Sequence, residues 1–192
     1  MKKGKIILLN GLASSGKTTL SKTLQSRLNE PYYWLNVDEL IRFSDANPQE
    51  HNPVTYFEKG KDPVSLFPHV IKLISDLGVN VIADAAFVKG KRNLFLAEET
   101  LGTCIEMLHE YPILYVHVTC PPEEIHRREE ARFNRSIKKD KSDYEEVGTQ
   151  NIYDVTVDTF ENTMEECADK IIEMLNVPEK HTAFKTLWEE RK

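Results

Sequence analysis

The chain has 192 residues, is 40% hydrophobic and sets 25 Lys and Arg against 31 Asp and Glu, a formal net charge of -6. That length suits one α/β domain with a two-sided core and excludes two full domains with separate cores. The acidic balance argues against general affinity for DNA, RNA or anionic membranes, which rests on clustered positive charge.

The basic start, Met-Lys-Lys-Gly-Lys, runs into the apolar Ile6–Leu9, which Asn10-Gly11 interrupts. This is far short of a signal h-region or a membrane span, so a soluble, unexported, cytoplasmic protein is expected. Cys104, Cys120 and Cys167 show no CxxC or metal-like spacing and read as core thiols of a reducing compartment.

In chain order, five apolar, β-branched-rich runs read as strands: Lys5–Asn10, Tyr32–Val37, Asn80–Asp84, Ile113–Thr119 and Tyr153–Asp158. Near-continuous apolar runs suit strands covered on both faces. Amphipathic stretches at about 16–29, 64–77, 89–109, 121–138 and 161–176 read as helices between and after them. Asn162-Thr163-Met164-Glu165-Glu166 supplies an N-cap and an acidic first turn for the last helix. Such alternation predicts a parallel sheet with helices on both faces. Residues 44–63 are polar and proline-bearing, the pattern of a surface loop over the sheet. Residues 134–150 are charged and poor in large apolar groups, as in a lid or its hinge. One domain is expected over 1–178, with an acceptor-side insert at 44–63 and a lid region at 121–150. The tail 179–192 is expected to dock as a helix through Phe184, Leu187 and Trp188.

The strongest motif is Gly11-Leu12-Ala13-Ser14-Ser15-Gly16-Lys17-Thr18, which fits G-x-x-x-x-G-K-[ST] between a strand and a helix. The glycines let successive N–H groups turn inward onto phosphate oxygens, and the helix N-terminus adds partial positive charge beneath them. Lys17 reaches the β- and γ-phosphates, Thr18 is positioned for Mg²⁺, and Thr19 extends the binding segment into the helix. A nucleoside triphosphate with Mg²⁺ is therefore the expected ligand of this loop.

Two acids end strands at the sheet edge where α/β ligands sit: Asp38 after Trp34–Val37, and Asp84 after Val81–Ala83. Asp38 reads either as the base for an acceptor hydroxyl or as the N-cap of a helix over Glu39–Phe43. Asp84 reads as a Walker B metal acid, or as a buried carboxylate bonded to Thr18 or a backbone amide. Beyond the fourth strand, Arg128, Arg132 and Arg135 share one helix face. They can clamp polyphosphate, or they can pair with Glu124, Glu129 and Glu130.

Taken together these pieces resemble the chloramphenicol phosphotransferase-like family of P-loop kinases over most of residues 5–175. The resemblance rests on Ile7–Gly11 into the loop, on Val37–Ile41, on Ile82–Asp84, on Arg128–Arg132 with Arg135, and on Tyr153–Thr159 before Glu166-Cys167-Ala168. It implies a five-stranded parallel sheet with a helical lid, transfer of the γ-phosphate of ATP to a small-molecule hydroxyl, and Asp38 as the activating base. Chloramphenicol-type antibiotics are the acceptor that the family name implies. The chain departs from the family pattern at Ala85, where a second aspartate is usual, and in Ser142–Ile152, which lacks the usual glutamine and histidine. A kinase for a sugar, nucleotide-sugar or other metabolite shares every motif, and a non-catalytic ATP-binding module shares the loop. No Asn-Lys-x-Asp element supports a GTPase, and the net charge of -6 disfavours a nucleic-acid end kinase.

Overall fold

The computed structural model of the chain describes residues 2–44, 58, 60–87, 94–133 and 152–192, with backbone alone at 94–98, 132 and 133. Five strands are present: β1 (Ile6–Asn10), β2 (Tyr32–Asn36), β3 (Asn80–Ala85), β4 (Ile113–Thr119) and β5 (Val155–Asp158). They form one sheet in the order β2-β3-β1-β4-β5 with every neighbouring pair parallel. The α-helices among the described residues are α1 (Lys17–Arg27), α2 (Val37–Ser44), α3 (Pro63–Asp76), α4 (Leu94–Leu108), α5 (Pro122–Phe133), α6 (Met164–Leu175) and α7 (Ala183–Glu189), with a 3-10 turn at Pro178–Lys180.

The apolar run in β1 has no polar alternation because β1 is central and covered twice. Ile6 and Leu8 face a layer built on Phe67 and Ile71 of α3, Cys104, Ile105 and Leu108 of α4, and Phe184 of α7. Ile7 and Leu9 face Leu20 and Leu24 of α1 with Cys167, Ala168 and Ile171 of α6. Parallel strands buried on both faces leave no side for polar residues. The chain leaves β1 toward β2 through α1 and leaves β3 toward β4 through α4, on opposite faces of the sheet. A crevice therefore opens between the carboxyl ends of two neighbouring strands.

Local chemistry sets several boundaries. Asp62 caps α3 by accepting from the N–H groups of Val64 and Ser65, each at 3.0 Å, and Pro63 supplies the first helical residue. Thr163 and Glu166 form a reciprocal capping box, so α6 starts at Met164 rather than at 161. Asp158 accepts from the N–H groups of Phe160 and Glu161 in the preceding turn, which holds 161 out of the helix. The fifth strand is shorter than expected: the Asp154 carboxylate accepts from the Tyr115 N–H at 2.8 Å, and pairing in register begins at Val155. The same carboxylate accepts from the N–H groups of Thr182 and Ala183, anchoring α7. Phe184 is buried against Tyr115, with ring centroids 5.0 Å apart, while Leu187 and Trp188 pack at the rim of that cluster. The bulk of the insert at 44–63 and residues 134–150 of the lid region lie outside the described residues, as do 88–93 and 134–138, where two of the expected helices would extend.

Candidate functional site

β1 ends in Asn10, buried to 1% exposure, and the loop begins there. Asn10 Nδ2 donates to the hydroxyls of Tyr153 (2.9 Å) and Tyr115 (3.2 Å), while its Oδ1 accepts from the Phe87 N–H at 2.8 Å. One amide thus fixes where the chain leaves β1 relative to where it leaves β3. Beside it on β4, the His117 ring stacks on Tyr153 at 4.4 Å. Burial lowers the pKa of His117, which keeps the imidazole neutral.

The loop's curl comes from two left-handed residues, Ser14 (φ 65) and Gly16 (φ 98). Alternating turns of this kind bring successive N–H groups to one concave side. Gly11 serves a different purpose: a Cβ there would stand 2.3 Å from the Val118 carbonyl oxygen, so only glycine lets the loop pass β4. Lys17 opens α1 and is 9% exposed, with Nζ donating to the carbonyls of Gly11 (2.8 Å) and Leu12 (2.7 Å). Thr18 beside it is half-buried and Thr19 is exposed.

Asp84 lies on the α1 side of the sheet, 2% exposed. Its Oδ2 accepts from Trp34 Nε1 at 2.8 Å and from Ser21 Oγ at 3.4 Å; its Oδ1 accepts from Asn36 Nδ2 at 2.5 Å. The partners expected from sequence, Thr18 or a backbone amide, are replaced by three side chains from β2 and α1. Burial raises the Asp84 pKa, opposed by the Trp34 and Asn36 hydrogen bonds and by the Lys17 charge; the Asp38 charge adds to the rise. Both Lys17 and Asp38 therefore lie within electrostatic reach of this carboxylate.

Asp38 is not the cap of its helix. α2 begins at Val37, and the capping oxygen is Asn36 Oδ1, which accepts from the Asp38 N–H at 2.7 Å. Asp38 sits in the first helical turn with its carboxylate exposed. A side chain released from capping is available for chemistry.

On α5, Arg128 is committed on every nitrogen. Nε donates to Glu124 (2.7 Å), Nη1 to the Thr159 hydroxyl (3.0 Å) and Nη2 to the Thr159 carbonyl (2.9 Å). The Thr159 hydroxyl in turn donates to the Ser15 carbonyl at 2.7 Å. Arg128 thus braces the root of α5 and the end of β5 against the phosphate loop. Glu124 also accepts twice from Arg127, and these two arginines hold its carboxyl down to about 2. The Arg132 side chain and all of Arg135 lie outside the described residues.

Trp34, Asn36, Ser21 and Thr159 are site residues that sequence reading missed. Trp34 and Asn36 carried a usable signal, since i and i+2 on a strand share a face and the register sets Asn36 opposite Asp84. Ser21 and Thr159 carried none that is local.

The arrangement fits a phosphate chain: a concave loop, a lysine at its mouth and a helix N-terminus below. The Thr18 hydroxyl and the Asp84 carboxylate are hard oxygen donors of the kind Mg²⁺ takes, and Oδ1 of Asp84 keeps a second lone-pair direction. Among the described residues no group of three or more His, Cys, Asp or Glu could hold a metal. A cation here would therefore depend on the nucleotide's own oxygens, the usual habit of Mg²⁺. Among the described residues no helix is long and apolar enough to cross a membrane.

A family model described as chloramphenicol phosphotransferase-like protein matches residues 4–176. The chain is 26% identical over 188 residues to an adenylyl-sulfate kinase of Clostridium acetobutylicum, covering 90% of this chain and 84% of that one. Among solved structures it resembles shikimate kinase from Acinetobacter baumannii in complex with shikimate (16% identity, 92% and 95% coverage, TM-score 0.59). It also resembles the Mycobacterium tuberculosis APS kinase CysC in complex with AMPPNP and APS (18%, 92% and 99%, TM-score 0.57). At these identities the structural likenesses establish the fold, a P-loop kinase fold.

Proposed function

The chain belongs to the chloramphenicol phosphotransferase-like family of P-loop phosphotransferases, and from that premise we propose that it moves the γ-phosphoryl group of ATP onto a small-molecule hydroxyl, with Asp38 as general base. The carrying observation is the set of hydrogen bonds that meet at Asp84: Ser21 reaches it from the helix that Lys17 opens, and Asn36 reaches it while accepting from the Asp38 N–H, which sets a cation, a buried acid and an exposed acid around one crevice.

In this reading the loop N–H groups and Lys17 hold the β- and γ-phosphates, with Lys17 exchanging the Gly11 and Leu12 carbonyls for phosphate oxygens. Mg²⁺ bound with ATP supplies charge neutralisation, and Thr18 and Asp84 are the residues that would hold it. The acceptor oxygen bonds to the γ-phosphorus as the bond to the β,γ-bridging oxygen breaks, so ADP leaves. Asp38 takes the acceptor proton and returns it to solvent. Arg128 keeps the loop in shape through Thr159, while Arg132 and Arg135 are proposed to offset charge on the transferring group. Such chemistry belongs where ATP is, in the cytoplasm. Chloramphenicol-type antibiotics are the first acceptors to test, with sugars, nucleotide-sugars and other hydroxylated metabolites alongside; relatives of this fold named for adenylyl-sulfate and shikimate keep that range wide.

The test is Mg-ATP consumption against that acceptor panel with Asp38→Asn beside the parent chain. Turnover on one acceptor, lowered about 10²–10⁴-fold in the variant with ATP affinity unchanged, is the expected result. Undiminished turnover in Asp38→Asn removes the base; ATP binding with no turnover on any acceptor favours a binding module.

A further inference from the structure

We propose that Asn36 is a positioning residue for phosphoryl transfer, its one amide group holding Asp38 and Asp84 in a fixed relation across the ends of β2 and β3. The inference rests on reading Asp38 as the base. Asn36 is 8% exposed; Nδ2 donates to Asp84 Oδ1 at 2.5 Å and Oδ1 accepts from the Asp38 N–H at 2.7 Å. The orientation of the amide follows from the Asp38 N–H, which only donates: the Asn36 oxygen must face it, and the NH₂ group is left for Asp84.

An ordinary cap uses one side-chain oxygen and leaves the rest of the residue to solvent. Here the second half of the amide is spent on a buried acid 48 residues away. The Asp38 carboxylate takes no hydrogen bond among the described residues, so its place follows from the backbone that Asn36 holds. Arg42 pairs with Glu39 on the same helix and lends Asp38 no support. Asp84 is itself held from Trp34 and Ser21, so it is the fixed end of the link and Asp38 the adjustable one. Displacing a reacting group by about 1 Å costs about a hundredfold in rate, which is the lever that Asn36 controls.

A double-mutant cycle tests this, run with the acceptor found in the panel. Asn36→Leu removes donor and acceptor at similar volume and should lower kcat about 10–100-fold, with KM for Mg-ATP within about twofold. In the Asp38→Asn background the same replacement should cost under about threefold, because the group it positions is already gone. Equal losses in both backgrounds would overturn the proposal. Asn36→Ser keeps a capping oxygen but is too short to reach Asp84; it guards against misfolding of the leucine variant. It should still lose at least about fivefold in kcat, again only when Asp38 is present. Full kcat in Asn36→Ser reduces Asn36 to a plain cap and also overturns the proposal. If the parent chain turns over no acceptor, the kinase reading fails on its own, and the placement is read by amide exchange. Either variant should then speed exchange of the α2 amides about tenfold, and unchanged exchange rejects the link.

Discussion

Thr159→Val probes the contact between α5, the end of β5 and the phosphate loop with little change of shape. The Thr159 hydroxyl donates to the Ser15 carbonyl at 2.7 Å and receives Arg128 Nη1 at 3.0 Å. Valine leaves the carbonyl of Ser15, a buried residue, without this donor, at about 1–3 kcal/mol. Arg128 keeps the Thr159 carbonyl and Glu124 and is partly exposed, so its share of the loss is under about 1 kcal/mol. The two losses together come to about 1–4 kcal/mol, and at about 2–4 °C per kcal/mol for a chain of this size Tm should fall by about 2–16 °C. Because the orphaned carbonyl belongs to the loop, apparent Mg-ATP affinity should fall with the fraction of loops still in shape, to a ceiling of about 150-fold. Thermal melting and titration calorimetry with Mg-ATP measure both, and Thr159→Ser, which keeps the hydroxyl, should recover the affinity. A drop in Tm with unchanged ATP affinity refutes the reasoning: Thr159 would then support β5 and not the loop.

Gly11→Ala should lower Tm and weaken ATP binding together, since its Cβ meets the Val118 carbonyl at 2.3 Å and β1 and β4 cannot separate cheaply; intact ATP affinity would mean that the loop shifts freely. Glu124 has its folded-state pKa lowered to about 2 from 4.5 by Arg127 and Arg128. Its stabilisation is therefore complete above the unfolded value and lost as pH falls toward 2. Melts of Glu124→Gln and the parent should differ most near pH 7 and converge between about pH 5 and pH 2; a gap independent of pH would show that the carboxylate charge is irrelevant.

Much of the candidate site was legible because it is written locally. The loop motif needs only eight consecutive residues, and a strand before and a helix after confirm it. Asp38 and Asp84 were identifiable because each closes an apolar run, and a parallel sheet puts every such end at one edge. Local reading left Asp38 open as the cap of α2 because Asp38 and Asn36 are both good capping residues, two positions apart. The choice between them was made by where β2 stops, and pairing with β3 carries β2 as far as Asn36.

From its sequence alone the chain determined five apolar strands, the helices between them and the phosphate loop, since periodicity and turn chemistry act over a few residues. Tertiary structure decided the partners: Asp84 with Asn36, Trp34 and Ser21, and Thr159 with Ser15 and Arg128. Those contacts span 31 to 144 residues and depend on strand order and register, which bring the partner groups within 3.4 Å without leaving a pattern in either segment.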